Sequence, residues 1–327
     1  MNGRPLRSAA SLVSLVSKPQ APKRHFLSIL DLSHEELEHV LSVAGSMKRD
    51  RAEGRAPQPF LAGRHLALLF EKPSLRTRST FTIAVRELGG DVIEPTIDVA
   101  LGGRESVEDV AHNLERWVVA AVVRTFAQDL LRDFAAAATR MHVINALTDE
   151  EHPCQAIADV MTLRERFGDL AGRTLAFVGD GNNVATSIAQ AGVMLGLNVR
   201  IASPKGYELP NDVIRGCERV ARHGAAVTIF NDPSEAVRGA DAVYTDAWTS
   251  MGQEAQTKKR DRVFKTYQVN SKLMALAGPD AVFMHCLPAH RGFEVTDEVM
   301  DSPASVIFDQ SENRLHAQKA LLALLMG

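Results

Sequence analysis

The sequence predicts an α/β fold of two domains, each a mostly parallel sheet flanked by helices, closed by a C-terminal helix able to return to the first domain. Three observations carry that prediction. Short apolar runs alternate with helical stretches, the pattern of a parallel sheet covered on both faces. A chain of 327 residues that is 45% apolar has material for two cores rather than one. One long amphipathic stretch, PCQAIADVMTLRERFGDLAGR, divides the apolar runs into two sets.

Taken in order, residues 1–24 hold Arg, Lys and Ser but no Asp or Glu, a composition shared by disordered leaders and organellar transit peptides. They are read as a disordered leader of a cytoplasmic protein; a transit peptide would make it mitochondrial instead. Ser33 then offers an N-cap with Glu36 three residues on, and Leu37, Val40, Leu41 and Val43 follow at helical spacing. HLALLF, AAVVRTF and HVINAL supply strands to a first domain, residues 25–155. TLAFVGD, NVRIASP, AVTIF, DAVYTDAW, AVFMHCLP and SVIFDQ supply strands to a second, residues 156–310. Gly168 and Gly172 mark the end of the connecting helix and the turn after it. The last segment, residues 311–327, reads as a helix that is apolar on one face.

Composition narrows the function. A formal charge of −3 gives no global attraction to nucleic acid or to an anionic membrane, so any anion must be held by local basic clusters. No run reaches the roughly 18 apolar residues of a membrane helix. Cys154, Cys217 and Cys286 are an odd count that predicts reduced thiols and no disulfide. Neither Cys-x-x-Cys nor His-Glu-x-x-His occurs, which argues against a metal site.

In open α/β sheets, ligands sit beyond the carboxyl ends of the strands. The polar residues there are Ser74, Arg76, Thr77 and Arg78, then Arg124 and Thr125, then His152 and Gln155. The second set yields GDGNN, Asp246 with SMGQE, HCLPAHR and Arg314. EKPSLRTRST puts hydroxyls and guanidiniums between a strand and a helix start, where free N–H groups point at the same volume and favour an anion. From these ten residues alone, Arg76 and Arg78 as solvated charges with Ser74 as a plain cap is an equal reading. The loop lacks the Gly and Lys spacing of a nucleoside-triphosphate cradle. Gly179 and Gly181 invite a dinucleotide reading, but Val184 takes the third glycine position and the next strand ends in Ser203 and Pro204, without a ribose-binding acid. No cofactor is expected. Asn182 and Asn183 either offer amides to a ligand or tighten the turn, His152 is either a structural hydrogen-bonder or a catalytic group, and Cys286 reads as a small buried apolar residue.

Together, FEKPSLRTRSTF, HPCQAIADVMT, FVGDGNNVATS, YTDAWTSMGQE, MHCLPAHRGFEVTDEV and SENRLHAQKALL resemble the ornithine carbamoyltransferases in order and spacing, from about Arg24 to the C-terminus. The resemblance implies a carbamoyl phosphate-binding first domain and an ornithine-binding second domain, working as a homotrimer. It implies that Ser74, Leu75, Arg76, Thr77, Arg124, His152, Gln155 and Arg314 hold carbamoyl phosphate. Asn183, Asp246, Ser250, Met251, Cys286 and Leu287 would hold ornithine, with Arg124, His152, Cys286 and Arg314 as the catalytic set. It also implies a cis bond between Leu287 and Pro288. Leu75 departs from the family, many of whose members have Thr there, so one hydroxyl contact is missing from the clamp. The clamp is shared by relatives acting on aspartate, N-acetylornithine or putrescine; SMGQE, DGNN and HCLP are similar to the ornithine branch. A non-catalytic ligand-binding relative would lack clamp or acceptor residues, and only Leu75 differs.

Overall fold

The computed structural model describes residues 24–96, 101, 104–249 and 254–327; Ser250, Met251 and residues 1–23 lie outside the described residues. Arg24, placed in the leader by composition, is pinned by Glu36, and its carbonyl accepts from His142 Nδ1 at 2.7 Å. Ser33 caps α1 (His34–Ala52) in a reciprocal box with Glu36, and Leu37, Val40, Leu41 and Ala44 form the buried stripe. Val43 is only partly buried.

The first domain runs β1 (His65–Phe70), α2 (Leu75–Glu87), β2 (Asp91–Ile93), α3 (Val107–Leu114), β3 (Ala120–Arg124), α4 (Gln128–Ala137) and β4 (His142–Leu147). Its four strands are parallel, in the order β2-β1-β3-β4. After α5 (Pro153–Phe167) come β5 (Thr174–Val178), α6 (Asn183–Met194), β6 (Asn198–Ala202), α7 (Asn211–Val220), β7 (Val227–Phe230), α8 (Pro233–Val237) and β8 (Ala242–Thr245). α9 (Thr257–Phe264), α10 (Ser271–Met274), β9 (Val282–His285), α11 (Asp297–Met300) and α12 (Ile307–Met326) complete the chain. The second sheet is also parallel, in the order β7-β6-β5-β8-β9. Strands β3, β4, β5, β8 and β9 are buried at every position, because helices cover both faces and leave no side to water.

One apolar cluster runs through both domains, joining Leu68 and Phe81 of the first to Phe177 and Ile188 of the second by way of Ile157 on α5 and Leu321 on α12. α12 packs on α1, α2 and α5, returning the chain's end to the first domain. Buried Lys319 on this helix pairs with Glu87 of α2 at 2.7 Å.

Two sequence expectations change. SVIFDQ, expected as a strand, makes one bridge, from Ser305 to Phe283, and then turns helical at Ile307. Its apolar run stops at Asp309, and the Gln310 N–H already reaches back to the Val306 carbonyl at 2.9 Å. β2 goes unread in the sequence because three residues at a sheet edge show no periodicity. The Leu287–Pro288 bond is cis.

Candidate active site

In each sheet the strand order reverses direction at one point, between β1 and β3 and between β5 and β8. Ligands bind beyond strand ends at such points. The two points face one another across a cleft of about 930 Å³.

The first-domain wall is built for an anion. Ser74 caps α2 by accepting from the Thr77 N–H at 3.2 Å, and the first turn of that helix carries no acid. His152 and Pro153 open α5, again without an acid in the first turn. Arg76, Arg124 and Arg314 converge between these helix starts, with His152. Thr77 Oγ1 accepts from Arg314 Nη2 at 2.5 Å and lies 3.5 Å from Arg124 Nη1. Burial, then the neighbouring Arg314 and Arg76 charges, bring Arg124 down to about 10. Burial, followed by Arg314, Arg124, Arg76 and Lys72, holds His152 well below its ordinary range, so it is a neutral imidazole at pH 7. His152 Nδ1, Arg124 Nε and Arg314 Nε are buried without a hydrogen-bond partner among the described residues. Crowded like charges and unpaired polar atoms are costly unless a ligand answers them.

The opposite wall carries Asp246, whose Oδ2 accepts from Asn182 Nδ2 at 2.8 Å and whose Oδ1 accepts from Cys286 Sγ at 3.1 Å. Burial, then Asp246, pushes the Cys286 thiol well above its ordinary value. It is therefore a protonated donor and not a thiolate nucleophile. Asp246, His285 and Cys286 bring ligand-type atoms within 4.8 Å of one another, but internal hydrogen bonds already engage all three.

Most of the expected residues meet here. Ser74, Leu75, Arg76, Thr77, Arg124, His152 and Arg314 line the first wall, and Asn183, Asp246, Cys286 and Leu287 the second. Leu75 is 77% exposed at the mouth. Asn183 donates to the Thr148 carbonyl, tying α6 to the turn before His152. Gln155 does not line the cleft: it is buried behind Arg314, whose Nη1 donates to its Oε1. Arg78 faces away, paired with Glu94 at 3.1 Å. Gly181 is required by packing, since a Cβ there would lie 2.4 Å from the Leu209 nitrogen.

Two further wall residues escape sequence reading. Lys72 is 3% exposed, pairs with Asp149 at 2.7 Å and lies 4.0 Å from the Phe126 ring centre. Arg260 is buried over Tyr207 and Phe264, where it bonds Asp180 and the Trp248 carbonyl. Burial outweighs that ion pair and lifts Asp180 to about 6. KPS and GDG mark their neighbourhoods, but nothing local announces the burial of either cation.

Fold and site together define a two-domain α/β class in which a guanidinium-rich wall on one domain faces, across a cleft, a wall that presents Asp246 on the other. Residues 24–165 match the family model described as the carbamoyl-P binding domain of aspartate/ornithine carbamoyltransferase, and residues 171–325 match its Asp/Orn binding domain. The chain belongs to the aspartate/ornithine carbamoyltransferase family. It is 50% identical over 305 residues to the ornithine carbamoyltransferase of Parafrankia sp. (strain EAN1pec), covering 93% of this chain and 96% of that one. It is equally identical, over the same shares, to that of Acidothermus cellulolyticus. The ornithine carbamoyltransferase structure from Pyrococcus furiosus superposes with a TM-score of 0.89 at 45% identity, covering 94% of this chain and 98% of that one.

Proposed function

We propose that this protein is an ornithine carbamoyltransferase of arginine biosynthesis, moving the carbamoyl group of carbamoyl phosphate to the δ-amine of L-ornithine to give L-citrulline and phosphate. The observation that carries this reading is the pairing of a guanidinium-crowded wall, with three unpaired buried nitrogens, and a wall presenting Asp246. Ser74, Arg76, Thr77 and the free N–H groups of α2 take the phosphate. Arg124, His152 and Arg314 take the remaining oxygens, with Gln155 aiming Arg314 from behind. Asp246 receives the α-ammonium group, Asn183 and Leu287 border the acceptor, and Ser250 and Met251 complete its site.

The neutral δ-amine attacks the carbamoyl carbon, negative charge builds on the carbonyl oxygen facing Arg124 and His152, and the bond to the phosphate oxygen breaks. The amine proton leaves with the phosphate. Cys286, as a neutral thiol, orients Asp246 and forms no covalent intermediate. Positioning and preorganised charge supply most of the acceleration in such a step. A homotrimer is the expected assembly; Leu75, Ile83 and Trp117 are exposed on the first domain, apolar surface of the kind a subunit contact covers.

The test is phosphate release from carbamoyl phosphate with ornithine, N-acetylornithine or putrescine as acceptor, the carbamoylated products being citrulline, N-acetylcitrulline and N-carbamoylputrescine. Ornithine is expected to be preferred by at least about a hundredfold, since a site built to pair a charged group rejects ligands lacking it. Equal rates with putrescine would remove Asp246 from α-ammonium recognition.

A further inference from the structure

We infer that Asp159 is a positioning residue that couples the two walls of the cleft, holding Arg314 on one side and the strand ends before Asp246 and Cys286 on the other. Its ligands are those of the carbamoyl-transfer reading, on which the inference rests.

Asp159 lies on α5 and is fully buried. Its Oδ1 accepts from Gln155 Nε2 and from Gln310 Nε2, each at 2.7 Å, and its Oδ2 accepts from the Tyr244 hydroxyl at 3.1 Å. A carboxylate can only accept. Both amides must therefore turn their NH2 groups toward it and their carbonyls away. The Gln155 carbonyl then accepts from Arg314 Nη1, and Arg314 Nη2 reaches Thr77 Oγ1 on the anion wall. The Gln310 carbonyl accepts the His285 N–H at 3.0 Å, one residue before Cys286. Tyr244 lies two residues before Asp246, which receives the Cys286 thiol.

One acceptor thus sets two amide orientations, and each amide anchors one wall. A neutral amide at position 159 would permit either flip, and a flipped Gln155 would set its NH2 against the Arg314 guanidinium, donor against donor. Burial lifts Asp159 to about 6 against the hydrogen bonds of Gln155, Gln310 and Tyr244, so the carboxylate form prevails at neutral pH. Coupling between two ligand sites is a free energy that a shared hydrogen-bond network with a defined polarity can carry.

Calorimetry would measure norvaline, an ornithine analogue lacking the δ-amine, with and without saturating carbamoyl phosphate, in the wild-type protein, Asp159→Asn and Tyr244→Phe. In the wild type, carbamoyl phosphate is expected to tighten norvaline by about tenfold or more, within the usual range of site–site linkage. In Asp159→Asn the factor should fall to within about twofold, and Tyr244→Phe should lie between the two. A folded Asp159→Asn that keeps the full factor overturns the inference, even with a lowered melting temperature, because a purely structural residue would move the melt alone. Should Asp159→Asn fail to fold, an unchanged factor in Tyr244→Phe overturns it. A wild-type protein that binds no carbamoyl phosphate overturns the functional reading itself, and the inference with it.

Discussion

Arg76, Arg124 and Arg314 crowd one wall of a partly closed cleft, where Arg314 and Arg76 count among the charges that lower Arg124. Arg76 lines the same cleft as Asp246, half-buried and within reach of that carboxylate's charge, which marks it as facing inward. Such a cluster costs stability in the free protein and repays it when a polyanion binds. Arg76→Ala is therefore expected to leave the melting temperature of the free protein unchanged or slightly raised while abolishing the rise caused by carbamoyl phosphate. Thermal melts with and without ligand decide it, and an undiminished ligand-induced rise would return Arg76 to the status of a surface charge. The convergence of Ser74, Arg76, Arg124 and His152 on one wall was legible in the sequence because they stand at strand ends, where an open α/β sheet places ligands whatever else it does. Lys72, Asp159 and Arg260 were not legible as site residues. Each is a charged residue whose meaning comes from burial by elements distant in the chain, and a local pattern cannot tell a buried charge from a solvated one.

Three helices, α2, α5 and α6, start at the cleft, and none has an acidic residue in its first turn. Their free N–H groups and aligned dipoles add positive potential to that of the side chains. Ser74 serves twice, as the cap of α2 and as a hydroxyl facing the cleft. Ser74→Ala is expected to cost about 1 kcal/mol of stability through the lost cap and also to weaken carbamoyl phosphate binding. Chemical denaturation together with calorimetry separates the two effects; a stability loss with unchanged affinity would leave Ser74 as a cap only. Element type was readable wherever a run was long and flanked by turn residues, as in HLALLF and TLAFVG. It failed for β2, too short to show a period, and for SVIFDQ, where a single bridge beside β9 gives way to the helix that carries Arg314 home to the anion wall.

At the scale of the molecule, the two domains share one apolar cluster, and α5 and α12 tie them together. With the donor proposed for one wall and the acceptor for the other, the second ligand is expected to find its full set of contacts only after the first has drawn the walls into register. Trp248 is placed to report this. It is 5% exposed, stacks on Phe264 at 6.1 Å between ring centres, and its carbonyl accepts from Arg260 beside the acceptor wall. Trp117, the other tryptophan of the chain, is 66% exposed on the first domain, so Trp117→Phe isolates the signal without disturbing a core. With that variant, carbamoyl phosphate followed by norvaline should give the larger emission change on the second addition, whereas norvaline added first should do little. Both orders are to be run to the same final concentrations, so that the end states agree and only the path differs. Equal and independent responses in either order would sink the idea that the phosphate ligand completes the acceptor site, and would leave Asp246 and Asn183 as a preformed pocket that needs no partner across the cleft.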